Sequence, residues 1–180
     1  NLGIVLSHIN NFKEAEICYG NALKFRKHYP DCYYNLGNLY LSQKMYREAT
    51  EAWTKATAQQ PNHRIAWNNL IIMLDSRGEL SKAVEVAKHA LDILPNDSSI
   101  NFNIANTLGK LGKFEEAERH FKTAIKIRPD YALHHVNLGV LYHRWKKFHL
   151  AKMSYEEALK IDPNMKSAKD NLMLLKIRAF

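Results

Sequence analysis

One residue type recurs through this 180-residue chain at a fixed step: Asn1, Asn35, Asn69, Asn103, Asn137 and Asn171 stand 34 residues apart. A side-chain amide carries two N–H donors and an acceptor oxygen, so it can bond both the C=O and the N–H of an extended polypeptide. Such a contact reads backbone rather than side chains. Nothing in the sequence accompanies it with covalent chemistry: there is no G-x-G-x-x-G, P-loop, G-x-S-x-G, H-E-x-x-H or deaminase zinc pattern. The nine histidines are scattered, with His134 and His135 on different sides of one helix. No catalytic residue, metal ligand or cofactor is therefore assigned within the chain. Cys18 and Cys32 are the only cysteines, too few for a disulfide framework or a zinc pattern, and are expected to be free buried thiols.

Each residue turns an α-helix by roughly 100°. On a helix through Ala132–Arg144, the residues His135, Leu138, Gly139 and Tyr142 share one face and Asn137 lies opposite, on the inner layer that lines a groove. The candidate peptide-binding residues are Asn35, Asn69, Asn103, Asn137 and Asn171, together with Tyr34, Asn68, Asn38, Asn106 and Arg144 on the same face. Tyr34, Asn68, Phe102, Val136 and Asp170 form a flanking row, and Asn38, Ile72, Asn106 and Val140 another. Lys110, Arg144 and Arg178 add a basic row near one edge, diluted by Asp31 and Asp75. Neighbouring inner helices about 8–10 Å apart are spanned by about three residues of extended chain. Two readings stay open: the amides clamp a ligand, or they bond between helices and stiffen the array, inherited by repeat duplication.

The elements that position these residues are legible in further columns at the same step. Leu2, Leu36, Leu70, Ile104, Leu138 and Leu172 form one; Gly3, Gly37, Ile71, Ala105, Gly139 and Met173 the next. Ala15, Ala49, Ala83, Ala117 and Ala151 form a third, and Ala22, Ala56, Ala90, Ala124 and Ala158 a fourth. Between the last two stand Tyr19, Trp53, Ala87, Phe121 and Tyr155, of which only Ala87 departs from a bulky type. Small residues let two helices approach and the aromatic fills the space beside them. Phe12, Tyr46, Phe114 and Phe148 share another position, read as packing rather than base stacking. Asn10, Lys44, Gly78, Gly112 and Lys146 end first helices, where positive φ is needed. Pro61, Pro95, Pro129 and Pro163 stop second helices, with Lys27 in the first module's place.

These columns predict eleven helices and no strand, starting near Asn1, Phe12, Asp31, Tyr46, Arg64, Leu80, Ser98, Phe114, Ala132, Phe148 and Lys166. The array divides into a partial repeat 1–29, repeats 30–63, 64–97, 98–131 and 132–165, and a C-terminal helix 166–180. Asn1 falls mid-pattern, so the chain is expected to be cut from a longer array. Leu174, Ile177 and Phe180, outside the packing columns, make the last helix a cap or another cut edge.

Composition agrees with an ordered helical domain: 46% apolar and 24% charged residues, five prolines and no low-complexity run. The formal charge of +8 suits an acidic partner but is dispersed along helix faces. Glu115, Glu116 and Glu118 near the start of a second helix read as helix electrostatics, and no nucleic-acid partner is expected. No apolar run approaches about 20 residues, the length of a membrane span, and no signal peptide is visible at Asn1–Ser7. Asn96-Asp97-Ser98 is an N-glycosylation sequon in an inter-module turn.

Leu138, Gly139, Tyr142, Ala151, Tyr155, Ala158 and Pro163 fall at the spacing of the tetratricopeptide repeat, whose period is 34 residues. That resemblance implies an all-α, right-handed superhelical solenoid of antiparallel helix pairs. The asparagine column is similar to that of the O-linked N-acetylglucosamine transferase superhelix, where the ladder holds substrate polypeptide. Ala66–Asp75 (AWNNLIIMLD), Leu94–Asp97 (LPND) and Leu141–Trp145 (LYHRW) resemble the C-terminal region of the transmembrane and tetratricopeptide-repeat O-mannosyltransferases, over about Tyr33 to Asp162. The resemblance implies a parent enzyme of the endoplasmic reticulum membrane that uses dolichyl-phosphate mannose as donor and cadherin extracellular domains as acceptors. This chain would be its lumenal repeat region, non-catalytic and membrane-bound only through an N-terminal portion outside it. A scaffold or adaptor with no enzymatic parent is the alternative.

Overall fold

A computed structural model describes the backbone of residues 2–178 and the side chains of residues 2–175. It contains eleven α-helices and, among the described residues, no strand. They are α1 (Leu2–His8), α2 (Phe12–Phe25), α3 (Pro30–Ser42), α4 (Tyr46–Gln59), α5 (Arg64–Ser76), α6 (Leu80–Ile93), α7 (Ser98–Lys110), α8 (Phe114–Ile127), α9 (Ala132–Arg144), α10 (Phe148–Ile161) and α11 (Lys166–Arg178). Ten begin where the periodicity places them or one residue away; α3 starts at Pro30 rather than Asp31 because proline is pre-set for the first helical turn. The start expected at Asn1 lies outside the described residues.

Local chemistry ends the helices as the columns imply. Asn10, Lys44 and Lys146 each have φ of 61°, Gly78 77° and Gly112 75°. At each, the next residue's N–H reaches back five residues: Asn11 to Leu6, Met45 to Tyr40, Glu79 to Leu74, Lys113 to Leu108 and Lys147 to Tyr142, at 2.8–3.0 Å. Those are Schellman closures, which satisfy the orphan carbonyls of α1, α3, α5, α7 and α9. The second helices α4, α6, α8 and α10 stop two residues before their prolines. α2 stops at the same point without one, since the Gln59 amide takes over: its nitrogen donates to the Lys27 carbonyl at 2.8 Å and its oxygen accepts from the Tyr29 N–H at 2.8 Å.

Adjacent helices pack in chain order, each first helix against its own second helix and the one before. The core consists of the small and bulky columns interleaved. A Cβ built on Gly139 would lie 2.4 Å from the Tyr155 ring, and one on Gly37 2.5 Å from the Trp53 indole. The aromatic thus lies directly over the glycine, close enough to exclude any larger residue. In the third module the sizes are exchanged: Ile71 and Ala87 occupy those two positions and both are fully buried. The departure of Ala87 from its column is therefore compensated on the facing helix.

Phe12 and Phe114 pack against the core, while Phe148 and Tyr46 are exposed at 48% and 37%, so their shared position is only partly a packing position. Cys32 is buried and Cys18 half-buried, both free thiols; Cys32 donates to the Tyr19 carbonyl at 3.6 Å. Asn96 is exposed, whereas Asp97 and Ser98 are buried. The Asp97 carboxylate caps α7 by accepting from the Ile100 N–H at 2.9 Å and pairs with Arg64 at 2.6 Å. No helix of the described residues is long and apolar enough to cross a membrane.

Candidate functional site

The first helices α3, α5, α7, α9 and α11 carry the asparagine column side by side. Every described member, Asn35, Asn69, Asn103, Asn137 and Asn171, is half-buried, on a wall that is neither core nor open surface. Asn1 lies outside the described residues. The amides are not bonded rung to rung. Asn69 donates to the Asn38 oxygen at 3.2 Å, and Asn103 donates to the Asn68 oxygen at 2.8 Å. Each bond runs diagonally, from a column residue to a flanking-row residue on the preceding first helix. Asn68 also donates to its own helix at the Arg64 carbonyl, 3.1 Å.

The inter-helix role considered for the column therefore occurs in it, at two positions. Asn69 and Asn103 stitch α3 to α5 and α5 to α7. Asn137 donates only to the Leu133 carbonyl of its own helix, 3.0 Å away, which leaves its oxygen and second N–H open. Asn35, Asn106 and Asn171 make no side-chain hydrogen bond to another described residue. Tyr34 packs its ring 4.9 Å from that of His63. Val136, expected on the flanking row, is instead in the core at 3% exposure. The equivalent Tyr34, Asn68 and Phe102 meet His63, Asn103 and His134, so this row faces the following module. Phe102 sits half-buried between the Phe121 and His134 rings, at 5.8 and 5.2 Å.

Between α5, α7 and α9 these side chains enclose a groove of about 500 Å3. Ile72, Phe102, Leu133 and Val140 supply its apolar surface; Asn103, Asn106 and Asn137 its amides. Of the basic row expected here, Lys110 pairs with Asp75, whose other oxygen accepts from the Thr107 hydroxyl at 2.9 Å. Lys110 is thereby neutralised, and Asp75 is satisfied within the protein. Arg144 lines the same groove, is exposed and has no ion pair among the described residues. Arg178, the third member expected in that row, has a side chain outside the described ones. The groove thus offers apolar contact, open amides and one uncompensated guanidinium.

Titratable groups nearby are structural. Burial, then the charge of Arg128, holds the His134 imidazole below its usual pKa; burial does the same for His135 and His120. Among the described residues, no group of three or more His, Cys, Asp or Glu side chains could hold a metal ion.

Two features escaped the sequence reading. A larger cavity of about 860 Å3 lies on the other side, between α4 and α6 above Trp67, Leu70 and Leu74 of α5. Its signal was Thr50, Thr54 and Thr57, where the next module has the bulkier Val84, Lys88 and Leu91. The second is an inter-helix hydrogen bond found twice, from the Tyr40 hydroxyl to Glu16 and from the Tyr142 hydroxyl to Glu118, both 2.7 Å. The glutamate does more than complement a helix dipole. Its signal was a paired exchange: Tyr40, Leu74, Leu108 and Tyr142 change in step with Glu16, Thr50, Val84 and Glu118.

Two tetratricopeptide-repeat family models match, one over residues 30–63 and the other over residues 97–164. No curated protein matches the chain. Among solved structures, the chain is similar to YrrB, described as a TPR protein with an unusual peptide-binding site. Identity is 25%, coverage 94% of this chain and 88% of that one, and the TM-score 0.77. MamA from Desulfovibrio magneticus RS-1 is 16% identical over 92% of this chain and 94% of that one, with a TM-score of 0.78. A thermophilic TPR protein of Thermus thermophilus is 21% identical over 98% and 96%, with a TM-score of 0.69.

Proposed function

With tetratricopeptide repeats over more than half its length, the chain belongs to the proteins built from that repeat, and on that premise we propose that the groove between α5, α7 and α9 binds an extended polypeptide. The observation that carries this reading is the open amides of Asn106 and Asn137 beside the unpaired Arg144, on a partly apolar floor. Amides pair with backbone, the floor takes alternate side chains and the guanidinium favours an acidic residue. The peptide-binding site described for YrrB, a structure of the same repeat fold, supports it by likeness.

Binding of an extended acidic peptide series, measured by fluorescence anisotropy, tests the reading. Asn106→Ala with Asn137→Ala should weaken binding by about tenfold or more at an almost unchanged melting temperature. Unaltered binding in that variant would remove the groove from consideration.

We further propose, on the sequence segments Ala66–Asp75, Leu94–Asp97 and Leu141–Trp145, that the bound polypeptide is an acceptor for a membrane-embedded O-mannosyltransferase. The repeats would lie in the endoplasmic reticulum lumen and recruit cadherin-like extracellular domains, while the parent's membrane portion would hold dolichyl-phosphate mannose. No residue of this chain is assigned to the donor or to catalysis. A scaffold without an enzymatic parent uses the same groove. The gene product upstream of Asn1 distinguishes the two: several apolar spans of about 20 residues support the enzyme, and their absence overturns it.

A further inference from the structure

Next to the groove, toward α11, is a second depression of about 410 Å3, lined by Val140, His143, Arg144, Lys146, Phe148, Tyr155 and Asn171. Among the described residues no carboxylate lines it. Arg144 and Lys146 are exposed and have no ion pair among the described residues. Lys146 projects from a fixed backbone, since its positive φ and the Lys147-to-Tyr142 Schellman bond lock the turn. Phe148 stands half-exposed at the rim, edge-on to the His143 ring at 5.7 Å.

The floor carries an independent signal. Tyr155 has no solvent exposure, and its hydroxyl is buried without any hydrogen-bond partner. Its ring passes over Gly139 and lines the depression with Val140 of the same helix α9 and Asn171 of α11. Leaving a buried hydroxyl unbonded is destabilising, and phenylalanine at this position would avoid that cost. Burial raises the phenol pKa to about 12, so it remains a proton donor at neutral pH.

We propose that this depression is an anion subsite, taking a carboxylate or phosphate group between the Arg144 and Lys146 cations with the Tyr155 hydroxyl and the Asn171 amide as neutral donors. Two cations balance a phosphate dianion and more than neutralise a carboxylate, and all four side chains supply donors to the anion's oxygens. Arg144 and Val140 also line the amide groove, so the anion is one carried by the polypeptide bound there. In that respect the subsite rests on the polypeptide reading; its affinity for a free anion does not.

Titration of the full chain with inorganic phosphate, followed by NMR of the Asn171 side-chain amide and the Tyr155 ring, tests it directly. Saturable shifts confined to this depression are expected, with affinity lowered about tenfold by Arg144→Ala and about threefold by Tyr155→Phe. Arg144→Ala should keep the parent melting temperature, and Tyr155→Phe should keep or raise it, so neither loss of affinity reflects unfolding. Shifts that rise linearly, spread over all basic residues, or stay the same in both variants overturn the proposal. Three peptides of one backbone carrying aspartate, phosphoserine or alanine then separate the sources. Tighter binding of the aspartate peptide assigns a carboxylate, and of the phosphoserine peptide a phosphate. Equal binding of the alanine peptide overturns the subsite and leaves the groove reading intact. Saturable phosphate with no peptide binding overturns the groove reading and leaves the subsite.

Discussion

The Tyr142 hydroxyl on α9 donates to the Glu118 carboxylate on α8 at 2.7 Å, and Lys122 pairs with the same oxygen at 2.6 Å. This bond joins the fourth module to the fifth, as Tyr40 to Glu16 joins the first to the second. Burial alone would raise the Glu118 carboxyl, but the bonds from Lys122 and Tyr142 and the charges of Lys122 and Lys147 outweigh it and hold it below the usual carboxylate range.

Tyr142→Phe should destabilise the protein by about 1 kcal/mol, since it deletes a hydrogen bond to a charged acceptor. Tyr40→Phe should cost less, because Glu16 is exposed and water replaces the lost donor. Urea denaturation of the two variants checks the order.

The same pair sets an acid limit. A folded-state pKa below the unfolded one means that the unfolded chain binds more protons as pH falls, so this contribution is complete above the unfolded carboxylate pKa. It is lost as pH drops through the lower folded value. In Tyr142→Phe the Glu118 titration should move upward, which NMR of its carboxyl carbon measures; an unmoved titration would assign the shift to lysine charge alone.

Two glycines should respond with opposite signs. Gly37→Ala places a Cβ against the Trp53 indole and should cost about 1–3 kcal/mol through overpacking. Gly20, inside α2, has nothing within 4 Å of its Cβ position, and Gly20→Ala should stabilise by about 0.5–1 kcal/mol. Thermal melts of both variants read the contrast.

Ile71 and Ala87 exchange the sizes that Gly139 and Tyr155 hold two modules later. Ala87→Phe alone should cost about 1–3 kcal/mol and Ile71→Gly alone more than about 3 kcal/mol. The double variant should recover part of the sum, a coupling of about 1 kcal/mol or more. Strict additivity in a double-mutant cycle would show that the two positions do not share space.

Asn103 and Asn137 occupy one column but differ in consequence. Asn103→Ala removes the bond to Asn68 and should lower stability by about 1 kcal/mol, whereas Asn137→Ala should stay within about 0.5 kcal/mol. A cycle with Asn68→Ala isolates the Asn103 bond, and a coupling near zero would show that it contributes nothing.

The helices, their ends and the packing columns were legible because each is fixed over a few residues. Positive φ at Asn10, Lys44 and Lys146 was readable by alignment with Gly78 and Gly112, although none of the three is glycine. The groove itself was legible only as a face. Its rows were assigned by helical rotation about one axis, which misplaced Val136, and the charge of Lys110 was counted without its partner Asp75. The Tyr–Glu bonds had a trace in the paired columns, but only to a comparison of columns 24 residues apart.

Sequence alone determined that the chain is a helical repeat and that asparagine recurs on its inner face, since periodicity and backbone preference act locally. Only tertiary structure decided which asparagines remain open. The partners of Asn69 and Asn103 lie 31 and 35 residues back, on a neighbouring helix. Whether two amides meet across that distance depends on the rotation and spacing of whole helices, set by what the aromatic and glycine columns pack against. One column therefore holds both kinds of residue: Asn69 and Asn103 tie modules together, and Asn137 keeps its oxygen and one N–H unbonded.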